Sequence, residues 1–140
     1  MFKLHWMSKI LLGIMVFLLF GSVAISNAWQ LTVWNPTDKD CKVTVWDHRF
    51  AVLHDLGTVT IQPSASYTWS TGGYCPSCMK GKIWDGNAYR YIKWTNCLGN
   101  EISSGEGCSA CCWNSTWHIC RKRGSGTIHD YDYGFCKGEE

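Results

Sequence analysis

The sequence predicts an all-β protein, a small disulfide-rich β-sandwich of about eight short strands. Three observations predict it. Apolar and polar residues alternate in short runs, turn-forming residues separate those runs, and nine cysteines follow an apolar leader. After Trp29 no apolar residues recur at helical spacing, and no heptads, repeats or low-complexity linkers occur. Strands without helices between them argue for a sandwich and against a parallel βαβ sheet.

The strand segments follow in chain order. "WQLTVW" sets Leu31 and Val33 against Gln30, Thr32 and Trp34, and "NPTDKD" turns the chain. "CKVTVWD" sets Cys41, Val43 and Val45 against Lys42, Thr44 and Trp46. "GTVTIQP" sets Val59 and Ile61 against Thr58 and Thr60, "PSAS" turns, and "YTWST" resumes. "GKIW", "YRYIKWTN", "TWHIC" and "TIHDYDYGF" complete the series. A period of two sends successive side chains to opposite faces. Trp94 is in phase with Ile92, and Trp117 with Ile119, so both rings are expected in the core.

Residues 1–28 read as a secretory signal peptide and 29–140 as a single domain. Lys3 and Lys9 form a positive start, Ile10 to Phe20 is an apolar run, and Ser26 and Ala28 are small residues placed for a cut before Trp29. Extended to Ile25 the run reaches about 16 residues, short of the roughly 20 that span a bilayer. Cleavage removes two of the 13 basic side chains, leaving eleven against eleven acidic ones and lowering the formal charge from +2 to zero. Binding to nucleic acid through whole-molecule charge is therefore not expected. The expected location is outside the cytoplasm, extracellular or periplasmic.

Export decides how the cysteines are read. Cys41, Cys75, Cys78, Cys97, Cys108, Cys111, Cys112, Cys120 and Cys136 are all disulfide candidates, because thiols reaching an oxidising compartment pair with one another. Cys75-Pro-Ser-Cys78 and Cys108-Ser-Ala-Cys111 also have the form of two zinc knuckles, which keeps a metal site on Cys75, Cys78, Cys108 and Cys111 as the alternative. The 29 residues between the knuckles exceed the 15 to 20 or so of compact zinc sites. Neither pair is followed by His, so covalent haem attachment is excluded. Connectivity stays open, since eight cysteines permit 105 pairings. Adjacent Cys111 and Cys112 are expected to reach different partners, making the stretch 105–120 a junction. An odd sulfur remains for a free thiol or an intermolecular bridge.

The domain carries eight tryptophans besides Trp6, and six tyrosines, more than a core of this size absorbs. Trp34, Trp46 and Trp84 fall in the polar register and are candidate ligand contacts; rings that face a second sheet or cover sheet edges are the competing reading. Arg121, Lys122 and Arg123 precede a Gly-Ser-Gly turn and are expected at an exposed hairpin tip. Asn114-Ser115-Thr116 fits the N-glycosylation pattern. In "IHDYDYG", Asp130 and Asp132 share a strand face about 7 Å apart, with His129 on the other. Paired carboxylates can serve hydrolysis or hold an ion. His48 and His54-Asp55 raise the same idea.

"LTVWN", a cysteine followed shortly by "TVW", then a Pro/Ser turn, "YTW" and "GKIW" are similar in order to the start of thaumatin-like proteins. The resemblance covers about residues 31–84, and the second half departs from it. It implies a β-sandwich and a glucan-directed role, and it brings no functional residue with it.

The expectation is a non-enzymatic binding or structural module without a cofactor. Its expected partner is a carbohydrate or cell-envelope surface, with no nucleic acid and no membrane contact after processing. The ninth sulfur would permit a disulfide-linked homo-oligomer. The alternatives are a small secreted glycan hydrolase using Asp130, Asp132 and His129, and the metal-binding protein on the four knuckle cysteines.

Overall fold

A computed structural model describes residues 28–123 and 131–138; the expected signal peptide lies outside them. The strands are β1 (Gln30–Asn35), β2 (Cys41–Arg49), β3 (Val52–Ile61), β4 (Ala65–Ser70) and β5 (Pro76–Trp84). They continue with β6 (Tyr89–Asn96), β7 (Glu101–Ile102), β8 (Ser115–Arg123) and β9 (Tyr131–Lys137). Four form one sheet in the order β4-β1-β8-β9, and five form the other in the order β3-β2-β5-β6-β7. The fold is a small β-sandwich, as the alternation predicts. All sheet pairings are antiparallel except β1 with β8, where Leu31 to Trp34 run alongside Ser115 to His118.

The core lies between the sheets and is built by the period-two residues. Leu31, Val33, Trp69, Trp117, Ile119 and Phe135 come from the four-stranded sheet, facing Val43, Val45, Met79, Ile83 and Ile92 from the other. Gly81 lies under this layer. A Cβ there would stand 2.8 Å from the Lys42 carbonyl oxygen and 3.3 Å from the Phe135 ring. The absent side chain thus lets the two sheets close over β5.

Trp117 is fully buried as expected, but Trp94 is not a core residue. On β5 only Lys80 separates Met79 from Gly81, whereas on β6 both Lys93 and Trp94 separate their partners Thr95 and Ile92. The extra residue is a bulge, which breaks the period and turns the local side chains. Ile92 and Thr95 both point inward, and Trp94 packs on Trp46 instead.

β3 begins at Val52, upstream of the run that alternation identifies. Its first half is largely exposed and held by pairing with β2 rather than by a buried face. The β2–β3 turn is Phe50-Ala51, both at positive φ (49° and 66°). Two left-handed residues match the twist of the flanking strands, but a Cβ there costs energy. Arg121 to Arg123 close β8, with Arg121 opposite Tyr133, Lys122 opposite Asp132 and Arg123 opposite Tyr131; the Gly-Ser-Gly segment that follows lies outside the described residues.

Buried Asn35 joins the sheets at one end. Its Nδ2 donates to the carbonyls of Lys39 (2.7 Å) and Ile61 (3.0 Å), and its Oδ1 accepts from the Thr37 hydroxyl (2.7 Å). The β5–β6 turn is closed by Asp85, which accepts from the amides of Ala88 (2.8 Å) and Asn87 (3.0 Å) and from Arg90. The Ala88 bond, then those of Arg90 and Asn87, hold its carboxyl well below the usual carboxylate range.

Two substitutions test this account by urea denaturation. Ala51→Gly relieves the left-handed strain and is expected to stabilise by about 1 kcal/mol. Gly81→Ala forces the Lys42 backbone aside and is expected to destabilise by about 1 to 3 kcal/mol.

Candidate functional site

The outer face of the five-stranded sheet gathers cations and rings. Alternation sends Lys42, Thr44 and Trp46 outward on β2, and Lys80, Lys82 and Trp84 outward on β5. Antiparallel pairing then sets Lys42 opposite Lys82, Lys82 opposite Tyr91, Thr44 opposite Lys80, and Trp84 opposite Tyr89. Lys42 Nζ lies 4.8 Å and Lys82 Nζ 5.2 Å from the centroid of the same ring, that of Tyr89. Trp84 meets Tyr89 edge-on at 5.2 Å. Further along, Lys80 Nζ is 5.1 Å from the Trp94 ring, which stacks on Trp46 at 4.3 Å. Tyr91 is 77% exposed and Trp84 39%.

Two like charges directly opposite on a sheet oppose folding, by a few tenths of a kcal/mol up to about 1. The ring beneath them returns a comparable amount, about 0.5 to 1 kcal/mol per exposed cation–π contact. The result is a surface with concentrated positive charge and ring faces on either side. The acidic residue that the ladder brings to its far end is Asp55, opposite Trp46, and its Oδ1 accepts from the Gly57 amide at 2.6 Å.

Of the expected ligand contacts, Trp46 and Trp84 lie on this face. Trp34 lies on the outer face of the other sheet, beside His118 in the β1–β8 register. Arg121 sits 6.0 Å from the Tyr133 ring, and Lys122 Nζ donates to Glu101 Oε1 at 3.0 Å. Of Arg123 only the backbone is described, and the expected tip at residues 124–126 lies outside the described residues. The Lys122 hydrogen bond, with its charge and that of Lys93, holds the Glu101 carboxyl below its ordinary range. Sequence reasoning missed Lys42, Lys80, Lys82, Tyr89, Tyr91 and Trp94. The signal was the lysines sharing a register with Trp46 and Trp84, and strand pairing was needed to bring them together.

The cysteines form four disulfides: Cys75–Cys111, Cys78–Cys108, Cys97–Cys112 and Cys120–Cys136. Adjacent Cys111 and Cys112 reach different segments, as expected. The four knuckle cysteines are thus joined to one another across the knuckles, and sulfurs bonded in this way are not thiolate ligands. This corrects the metal reading of Cys75, Cys78, Cys108 and Cys111. Cys41 is the odd sulfur and is fully buried. A link to another chain through it requires β2 to leave the core.

Asp47 is buried and bonded by Arg49 Nε and Nη2, both at 3.1 Å from Oδ2, with His54 Nδ1 3.4 Å from Oδ1. His54 therefore faces Asp47 rather than neighbouring Asp55. His129 and Asp130 lie outside the described residues, and of Asp132 only the backbone is described, in β9. A cleft of about 520 Å³ lies between the β1–β2 turn and β8, lined by Pro36, Thr37, Asp38, Ile119, Cys120 and Arg121.

No protein-family model matches this chain, and no curated protein or solved structure does either. The thaumatin-like resemblance of residues 31–84 rests on its strand words.

Burial pushes the Cys41 thiol up to about 12, with a smaller rise from Asp40 and a lowering from its Thr37 hydrogen bond. The native thiol is expected to resist iodoacetamide near pH 9, where an unfolded cysteine is half ionised, and to gain one adduct only in denaturant; intact mass reads both. Because the folded value exceeds the unfolded one, the thiol's contribution to stability is complete below about pH 9 and is lost as pH rises toward 12.

Proposed function

We propose that the chain is an exported, non-catalytic binding module that takes an anionic polysaccharide on the outer face of its five-stranded sheet. The observation that carries this reading is the Lys42–Lys82 pair held over Tyr89, with Trp84, Tyr91 and the Trp46–Trp94 stack around it. A pair of opposed lysines that weakens folding is favoured by the anion that it binds. Carboxylate or sulfate groups would sit between the ammonium groups, and the C–H faces of sugar rings would lie on the aromatic rings.

Several features support it. Lys80 and Lys82 are two residues apart on one strand, about 7 Å, so the charges form a row rather than a point. Both lysines keep their heads on rings, which orders them before binding and reduces the entropy lost on association. The apolar leader and the four disulfides suit a protein working in an oxidising compartment. The weak likeness of the first half to thaumatin-like proteins points toward a glycan rather than a lipid.

The test is binding to sulfated and uronic-acid polysaccharides, with a neutral glucan as the control. Lys42→Ala with Lys82→Ala is expected to weaken anionic binding at least tenfold, about 1.4 kcal/mol, and to flatten its salt dependence. Tyr89→Ala should act in the same direction. Lys42→Ala alone should leave urea stability unchanged or slightly raised, because it removes a like-charge pair. Equal binding by the double variant, or preference for the neutral glucan, overturns the proposal.

A further inference from the structure

On the opposite side of the sandwich, His118 and Cys120 point outward from β8, and Cys136 lies directly opposite His118 on β9. One ring nitrogen of His118 and the sulfurs of Cys120 and Cys136 all lie within 4.8 Å of one another. We propose that reduction of the Cys120–Cys136 bond creates a site for a thiophilic divalent ion such as Zn2+, with Cys120, Cys136 and His118 as its three protein ligands.

Three features of the surroundings carry this inference. His118 Nδ1 is 2.8 Å from the carbonyl oxygen of Gly138. A carbonyl only accepts, so Nδ1 carries the proton and Nε2 the lone pair, and this bond fixes the ring as the outer partner of a metal-ligating histidine does. The second feature is access. Cys120 forms part of the wall of the cleft beneath the β1–β2 turn, and both sulfurs belong to half-buried residues.

The third is that this bond joins two strands that a backbone ladder already pairs. β8 and β9 are paired along seven positions, from Trp117 against Lys137 to Arg123 against Tyr131, by backbone bonds that do not involve the sulfurs. The other three bonds instead secure the segment around the one-turn 3₁₀ helix Gly105–Gly107, which has no ladder of its own. A tetrahedral ion with Zn–S near 2.3 Å and Zn–N near 2.0 Å needs ligand atoms about 3.5 Å apart. Side-chain rotation on a strand pair whose cysteine Cα atoms are 5.9 Å apart can supply that spacing.

The chemistry balances with a dithiol as reductant. Two electrons and two protons pass from the dithiol to the Cys120–Cys136 bond, giving two thiols and a reductant disulfide. Metal binding then releases those two protons as the thiols become thiolates. The fourth position is filled by solvent from the cleft. This site shares no residue with the lysine–aromatic face, so its test is independent of polysaccharide binding.

The experiment uses the full chain, oxidised and after limited dithiol treatment, with alkylation mapping to show which cysteines have opened. Zn2+ affinity is measured against a chromophoric chelator, and Co2+ reports thiolate ligation through its charge-transfer absorption. The reduced chain is expected to bind one ion and the oxidised chain none. His118→Gln, which leaves every disulfide intact, should weaken binding at least tenfold. Cys120→Ser, checked for folding by circular dichroism, should abolish the Co2+–thiolate signal from this site. Equal binding by the oxidised chain, unchanged affinity in His118→Gln, or a map in which another bridge opens first overturns the assignment. So does absence of binding when Cys120 and Cys136 are the thiols that opened.

Discussion

Cys108, Cys111 and Cys112 fasten one irregular stretch of chain to three separate points, Cys78, Cys75 and Cys97. The stretch contains a single 3₁₀ turn and no strand from Gly105 to Trp113, so backbone ladders cannot hold it. Cross-links do so by removing conformations from the unfolded chain, about 3 kcal/mol for a closure of 15 residues such as Cys97–Cys112. The closures overlap, so their effects do not simply add. Backbone bonds follow where the sulfurs lead: the Cys112 amide donates to Pro76 O at 2.7 Å and the Cys97 amide to Ser77 O at 3.2 Å.

That junction lies against the start of β5 and the end of β6, the strands that carry Lys80, Lys82, Tyr89 and Tyr91. A Cβ added at Gly105 would meet Leu53 at 2.8 Å and the Trp94 ring at 3.9 Å, so the stapled segment reaches Trp94. Trp94 is thereby packed between a fixed loop and Trp46. The rings of the outer face stand on a scaffold that the disulfides hold, and the lysines are ordered by those rings. Rigidity passes from sulfur to ring to ammonium.

Sequence pattern and final structure agree where one residue type per position is enough. Leu31 and Val33, Val43 and Val45, and Trp117 and Ile119 alternate in the sequence and are buried. The disulfide-paired reading of the cysteines leads to their cross-linking, though not to its map. Disagreement arises where a position depends on a partner strand. Trp94 faces outward because β6 carries one residue more than β5 between paired positions, a mismatch invisible in either strand alone. The first half of β3 lacks a buried stripe, so no periodicity marks it. Lys42 and Lys82 are 40 positions apart, and only the register between β2 and β5 shows that they are neighbours.

The parallel contact between β1 and β8 joins the first described strand to one near the other end of the chain. The hairpins of the five-stranded sheet, β2 with β3 and β5 with β6, need only neighbouring segments and can zip as the chain is made. The four-stranded sheet has no such freedom. Until residue 115 has been made, β1 has β4 on one side and an unsatisfied backbone edge on the other. Closing the four-stranded sheet therefore waits for β8, and the apolar residues of β1 wait with it.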